Sequence, residues 1–211
     1  MSEYYMEKYY PSGLKPKDMI QKLIDKHGYQ SYLEIGVAWG ETFDGVRAKY
    51  KVGVDPDPNS KATQVMPSDE FFKNLDPHYK FDIIFVDGLH QWEQCYRDIE
   101  NSLNHLSPDG TILVHDVNPL EEVWVTDVPR EGFTPIWTGD VYKAIVKARI
   151  DRNDIQVCTL YDLWFGVGVI RKGIGVPIKW DFDNLDYGVW VDNKDYLMNP
   201  IKTSEFIEKM L

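Results

Sequence analysis

The ten residues 81–90, FDIIFVDGLH, decide how the rest of the chain is read. Phe81 to Val86 is an almost unbroken apolar run of strand length, the pattern of a strand buried on both faces by helices, as in a parallel sheet. It ends abruptly in Asp87-Gly88-Leu89-His90, an acid, a turn residue and an imidazole. From Gln91 to Leu106 the apolar residues Trp92, Cys95, Ile99, Leu103 and Leu106 then recur at helical spacing, and Ser107-Pro-Asp-Gly110 closes that helix with a turn.

Working outward, the same strand-then-helix rhythm repeats. Upstream, the spacing of Met19, Ile20, Leu23 and Ile24 predicts a helix over about 16–27, stopped by Gly28 as a left-handed C-cap. A strand follows over Ser31 to Val37, then a turn through Gly40, a helix from Glu41 to about Tyr50, and a strand from Lys51 to Asp55. Asp55-Pro-Asp-Pro-Asn-Ser60 reads as loop, Ala62 to Met66 as a short strand, and Ser68 as the N-cap of a helix holding Phe71, Phe72 and Leu75. Downstream, Thr111 to His115 is a fifth strand, and Asp140 caps a helix running to Ile150. Ile155 to Leu160 and Gly166 to Lys172 form an antiparallel closing pair, because only a short connection joins them. Alternating strands and helices make a three-layer α/β sandwich. The 211 residues are expected to form one domain, 1–211, with a core over about 17–172 and flanks at 1–16 and 173–211.

The formal net charge of −11 disfavours nucleic acid and anionic membrane surfaces, which need clustered Lys and Arg. No window is apolar enough to span a bilayer, and MSEYYMEKYY has neither the basic start nor the apolar core of a signal peptide, so the cytoplasm is the expected location. Cys95 and Cys158 read as two buried thiols.

Ligands of open α/β sheets bind at the carboxyl ends of the strands. Here those ends carry Glu34, Asp55, Asp87 and His115-Asp116, four acidic strand ends on one rim. Between them lies Gly36-Val-Ala-Trp-Gly40, a turn that lets backbone N–H groups approach a ligand and leads to a helix N-terminus. The spacing is G-x-x-x-G and not the G-x-G-x-x-G of dinucleotide sites, although Asp55 follows at the distance of a ribose-binding acid.

YLEIGVAWGETF (32–43), KVGVDPDP (51–58), FDIIFVDGLHQWEQCYRDIENSLNHL (81–106) and SPDGTILVHD (107–116) occur in the order and spacing of the class I S-adenosylmethionine-dependent methyltransferases. The chain most resembles their small-molecule branch with Asp-Gly-x-His after strand four and His-Asp after strand five. The resemblance covers about residues 17–172. It implies a Rossmann-like, mostly parallel seven-stranded sheet with a reversed last strand. It places Glu34, Gly36 and Gly40 at the methionine end of the cofactor, Asp55 on the ribose, and Ser68 and Asp69 near the adenine, with Asp87 also facing the cofactor. Ala38 stands where the usual pattern has a middle glycine.

For chemistry, methyl transfer needs alignment and removal of a proton from the acceptor. Asp87 and His90 are the candidate catalytic pair, His90 lying where catechol-type relatives carry a lysine base. Asp87, His115 and Asp116 form a candidate Mg²⁺ set, similar to that of the metal-dependent O-methyltransferases, although Val117 follows where many of those have a further Asn or Asp. The implied activity is methylation of a small-molecule hydroxyl, on a sugar or natural product. A non-catalytic S-adenosylmethionine- or nucleotide-binding protein, and a nicotinamide-dependent oxidoreductase, remain the alternatives. Trp137-Thr-Gly-Asp-Val-Tyr-Lys143 is expected to shape the acceptor pocket or merely to start a helix. The aromatic flanks, Tyr4, Tyr5, Tyr9 and Tyr10 with Trp180, Trp190 and Tyr196, are expected to form lids, a homodimer contact, or packing against the sheet edge.

Overall fold

A computed structural model describes residues 10–126 and 136–210. Tyr4, Tyr5 and Tyr9 lie outside them. Eight strands, β1 Ser31–Ile35, β2 Tyr50–Asp55, β3 Gln64–Val65, β4 Phe81–Val86, β5 Leu106–His115, β6 Ile155–Leu160, β7 Val167–Lys172 and β8 Pro200–Ile201, form one sheet in the order β3-β2-β1-β4-β5-β7-β6-β8. β7 runs antiparallel to both β5 and β6, and every other pairing is parallel. This is the Rossmann-like sheet expected, with one correction: eight strands and not seven. The eighth comes from the 173–211 flank, where β8 pairs alongside β6 through Thr159↔Pro200 and Leu160↔Ile201.

Side-chain alternation along the strands builds a core on each face. Leu33, Ile35, Ile84, Val86, Ile112 and Val114 point to one side, where they meet α3 (Ser68–Asn74), α4 (Trp92–Asn104), α5 (Tyr142–Asp151) and α6 (Tyr187–Met198). Tyr32, Ile83, Phe85 and Leu113 point to the other, against α1 (Pro16–His27), α2 (Glu41–Gly45) and α7 (Thr203–Met210). α1 begins with proline at its first position and ends at Gly28 in the left-handed conformation (φ 68°), as its sequence dictates.

Several boundaries differ from the sequence expectation for physical reasons. α2 stops at Gly45 and does not reach Tyr50, because Lys51 Nζ donates to the Phe43 and Val46 carbonyls at 2.6 and 2.9 Å and Val46 turns extended into the core. β5 starts at Leu106, and Ser107–Gly110 bulges out between the Phe81↔Leu106 and Ile83↔Thr111 pairs. Asp140 does not cap its own helix: its Oδ1 accepts the Trp92 N–H at 2.9 Å, at the start of α4. Ser68 opens α3 without a side-chain cap; its Oγ instead accepts from Gln94 Nε2 at 3.2 Å. Of the tail aromatics, Trp190 packs inward, fully buried and 4.8 Å from the Tyr142 ring, while Trp180 is half-buried and Tyr196 is exposed. Cys95 and Cys158 are free thiols.

Candidate active site

Strand order reverses between β1 and β4, and the cleft opens there, at the carboxyl ends of β1, β2, β4 and β5. It encloses about 930 Å³. Glu34, Gly36, Asp55, Ser68, Asp69, Asp87, His90, His115 and Asp116 all line it. Gly40 does not; it shapes the wall from behind, in a left-handed conformation (φ 78°) with its N–H on the Val37 carbonyl at 2.8 Å.

The glycine turn is held by Asp55. One carboxylate oxygen accepts from Val37 N at 3.0 Å and Ala38 N at 2.8 Å, and the other from Asp57 N at 2.8 Å. Ala38 is left-handed (φ 43°), a conformation glycine adopts freely and alanine only at a cost, so the carboxylate clamp supports the departure from the glycine pattern. Asp55 is therefore a turn clasp as well as a cleft residue.

Glu34 is 2% exposed and receives the Tyr32 hydroxyl hydrogen bond. Burial pushes its carboxyl up to about 8, with the Tyr32 bond pulling the other way. The folded state thus holds a proton that the unfolded chain releases near 4.5. Stability from this proton is complete below pH 4.5 and is lost as pH rises toward 8, at up to about 1.4 kcal/mol per pH unit. Glu34→Gln removes the ionisation, so urea denaturation is expected to show a gain of roughly 2–3 kcal/mol at pH 7 and none near pH 4.5. Equal effects at both pH values would refute the buried neutral carboxyl.

Two acids and two histidines meet on the opposite wall. His115 Nδ1 lies 3.0 Å from Asp87 Oδ1 and 3.5 Å from Asp116 Oδ2, while His90 Nε2 lies 3.2 Å from Asp116 Oδ2 and 3.7 Å from Asp87 Oδ1. The remaining ring nitrogens face backbone carbonyls, His115 Nε2 that of Trp164 at 3.1 Å and His90 Nδ1 that of Trp137 at 2.9 Å. Carbonyls only accept, so each imidazole donates from that nitrogen, and facing a carboxylate with the other makes both rings imidazolium. Burial alone would depress both; the Asp116 and Asp87 carboxylates outweigh it, raising His90 to about 9 and His115 well above its usual value. For Asp87, burial acts upward, but His115 and His90 outweigh it and hold the carboxyl well below the usual range. Charges of both signs thus balance within the cluster.

Asp87, His90 and Asp116 can each present a ligand atom within 4.8 Å of the others. His90 joins the two acids of the sequence set, beside His115, whose Nδ1 lies 3.0 and 3.5 Å from the same two acids. The reason is spatial, since β4 and β5 are neighbours and the turn after β4 swings His90 over Asp116.

Sequence reasoning missed Asp98, Gln94, Trp39, Trp164 and Phe165, all cleft-lining. Asp98 was legible: it falls three residues after Cys95 on the inward face of α4, where a carboxylate is out of place. Burial raises it to about 6, against hydrogen bonds from Ser68 and Gln94, the latter donating to its Oδ1 at 3.1 Å. Gln94 Nε2 also lies 3.3 Å from Asp69 Oδ1, so Ser68, Asp69 and Asp98 share one polar corner. Trp164 and Phe165 sit in the β6–β7 connection and carry no local signal. Their position comes from pairing: the Phe165 carbonyl accepts from Asn118 N at 2.8 Å, drawing that connection over the end of β5.

Fold and site define a Rossmann-like α/β sheet with its ligand cleft at the strand reversal. A family model described as a methyltransferase domain matches residues 33–117, the segment from the glycine turn to the end of β5. Over that segment the chain is similar to methyltransferase domains, and its sheet has the Rossmann-like methyltransferase fold. Among solved structures it is similar to the S-adenosylhomocysteine-bound methyltransferase PaMTH1 of Podospora anserina (18% identity, TM-score 0.55, 80% of this chain and 85% of that one). It is also similar to an O-methyltransferase of Bacillus cereus in complex with S-adenosylhomocysteine (16%, 0.51, 82% and 92%). A third is the O-methyltransferase TomG of Streptomyces achromogenes, involved in tomaymycin synthesis and solved with S-adenosylmethionine (13%, 0.53, 74% and 79%). No curated protein matches the chain. Among the described residues no helix is long and apolar enough to cross a membrane.

Proposed function

We propose that the protein methylates a hydroxyl of a small molecule, drawing the methyl group from S-adenosylmethionine. The observation that carries this reading is the two-sided cleft. One wall is the glycine turn with Glu34, Asp55 and the Ser68–Asp69–Asp98 corner; the other is the Asp87–His90–His115–Asp116 cluster flanked by Trp137, Trp164 and Phe165. The acidic first wall suits a cofactor with a cationic methionine end. Glu34 and Gly36 take that end, with Gly40 shaping the turn behind them, Asp55 the ribose, and Ser68 and Asp69, with Asp98, the adenine amine. The aromatic second wall suits the face of a sugar or aromatic ring.

When bound, the cofactor supplies a methyl group on a sulfonium and leaves as the thioether. Asp87 and Asp116 orient the acceptor hydroxyl, and His90 Nε2 receives its proton as the new O–C bond forms. His90 starts as imidazolium, so it acts as base only after giving up one proton; a cation held by Asp87 and Asp116 would favour that loss by drawing on the same carboxylates. The Asp87 and Asp116 carboxylates fit a divalent ion, which would lower the pKa of a bound hydroxyl, and His90 Nε2, left off that ion, would take the proton. Carboxylate oxygens suit a hard ion such as Mg²⁺. With a net charge of −11, a neutral or cationic small molecule is the favoured partner over nucleic acid or an anionic membrane.

Calorimetric titration of S-adenosylhomocysteine, beside NAD as comparator, tests this. Micromolar binding of the first alone is expected, followed by label transfer from methyl-labelled S-adenosylmethionine to a panel of catechols and sugars. Neither heat nor a thermal shift with S-adenosylhomocysteine would sink the reading. Binding without transfer to any acceptor would favour a non-catalytic binding protein. Asp55→Ala is expected to weaken binding and lower Tm together, because it releases Val37 and Ala38 as well as any ribose.

A further inference from the structure

The segment 136–140 reaches back to His90 from more than one side. The Trp137 indole stacks on the imidazole, with centroids 4.6 Å apart and planes 29° apart. The Trp137 carbonyl lies 2.9 Å from Nδ1. Gly139 (φ +57°) passes so close to the His90 backbone that a Cβ there would fall 1.7 Å from the His90 carbonyl oxygen. The segment is itself anchored. Thr138 N and Gly139 N both donate to the Trp124 carbonyl at 3.1 Å, Trp137 Nε1 donates to the Thr126 carbonyl at 2.6 Å, and Asp140 takes the Trp92 N–H of the helix that follows His90.

A carbonyl facing Nδ1 keeps a proton on that nitrogen in every charge state of the ring, leaving Nε2, beside Asp116 and Asp87, as the nitrogen that exchanges. We propose that Trp137 is the positioning residue of this site: its carbonyl holds neutral His90 as the Nδ1–H tautomer, and its ring fixes the imidazole plane, so that the bare Nε2 faces the cleft. This rests on the reading of His90 as the proton acceptor. It also gives the Trp137–Lys143 stretch a role beyond lining the acceptor pocket: Asp140 serves α4 and pairs with Lys143 at 3.1 Å, and Trp137 serves His90. A histidine that carries its proton on Nε2 would present an N–H to the acceptor oxygen and no lone pair.

Long-range ¹H–¹⁵N spectra of metal-free protein labelled in its histidine rings decide this. The chain has five histidines, and His90→Gln assigns the signal. At a pH where His90 has become neutral, Nδ1 is expected to be protonated and Nε2 bare in the wild type. Trp137→Leu, which keeps the backbone carbonyl, is expected to remove the ring-current shielding of the His90 ring protons while Nδ1 stays protonated; Trp137→Phe, which keeps a ring on that face, is expected to restore the shielding. An Nε2–H tautomer in the wild type would overturn the proposal, as would a Trp137→Leu spectrum identical to the wild type. If Trp137→Leu fails to fold, the wild-type tautomer still decides. Titration of S-adenosylhomocysteine into the same samples separates the two readings: absent binding in the wild type defeats the methyltransfer reading, whereas the tautomer stands or falls on the spectra.

Discussion

Gly36→Ala is expected to cost about 3–5 kcal/mol and to abolish cofactor binding. A Cβ at Gly36 would lie 2.0 Å from the Asp87 carbonyl oxygen, 2.4 Å from its carbon and 2.5 Å from the Gly88 Cα, all backbone atoms that no side-chain rotation can move. The ends of β1, β2 and β4 are tied there, with Gly36 N on the β2 carbonyl of Val54 at 2.9 Å and Asp87 N on the β1 carbonyl of Ile35 at 2.8 Å, so relief requires those strand ends to separate. The φ of +85° adds a penalty for any L-residue. Gly13→Ala is the control, because Gly13 has a similar φ of +66° and nothing within 4 Å of its Cβ position; it is expected to cost about 1 kcal/mol. A Tm for Gly36→Ala within a few degrees of the control would show that the turn relaxes and that the close approach is not what holds the cleft open.

Asp87→Asn is expected to destabilise the protein by about 2–4 kcal/mol at pH 6, because it leaves two imidazolium rings sharing the Asp116 carboxylate. The pH dependence distinguishes this from lost packing. His90 and His115 have raised folded values, so the stability that they gain from the pairing is fully present below pH 6.5 and is lost as pH rises through about 9 for His90. Asp87 has a depressed value, so its contribution is present above pH 3.8 and is lost as pH falls through the lower folded value. The gap between wild type and Asp87→Asn should be widest between about pH 5 and 7 and should shrink toward pH 10. Urea denaturation across that range measures it. A gap that stays constant from pH 6 to 10 would mean that the histidines are not charged in the folded state.

The order of strands and helices was legible in the sequence, because periodicity is a local property. FDIIFV and the α4 stripe announce their own burial, and Gly28 and Gly36 mark backbone that other residues resist. The rim of acids was legible too, since Glu34, Asp55, Asp87 and Asp116 each terminate a recognisable strand, and parallel strands bring those ends to one edge. What the sequence could not determine was who faces whom across that edge. Lys51 ends α2 from another strand, Asp140 caps a helix about fifty residues earlier in the chain, and Pro200–Ile201 adds a strand too short to show any pattern. Asp55 spends its carboxylate on its neighbours' amides, and His90 joins His115 beside the acidic pair, because both outcomes depend on distances of a few ångströms between separate loops. Sequence alone therefore determined the sheet and the kind of chemistry gathered on its rim. Tertiary packing decided the partners and the proton positions, which arise only where segments far apart in the chain exclude water together and satisfy one another's hydrogen bonds.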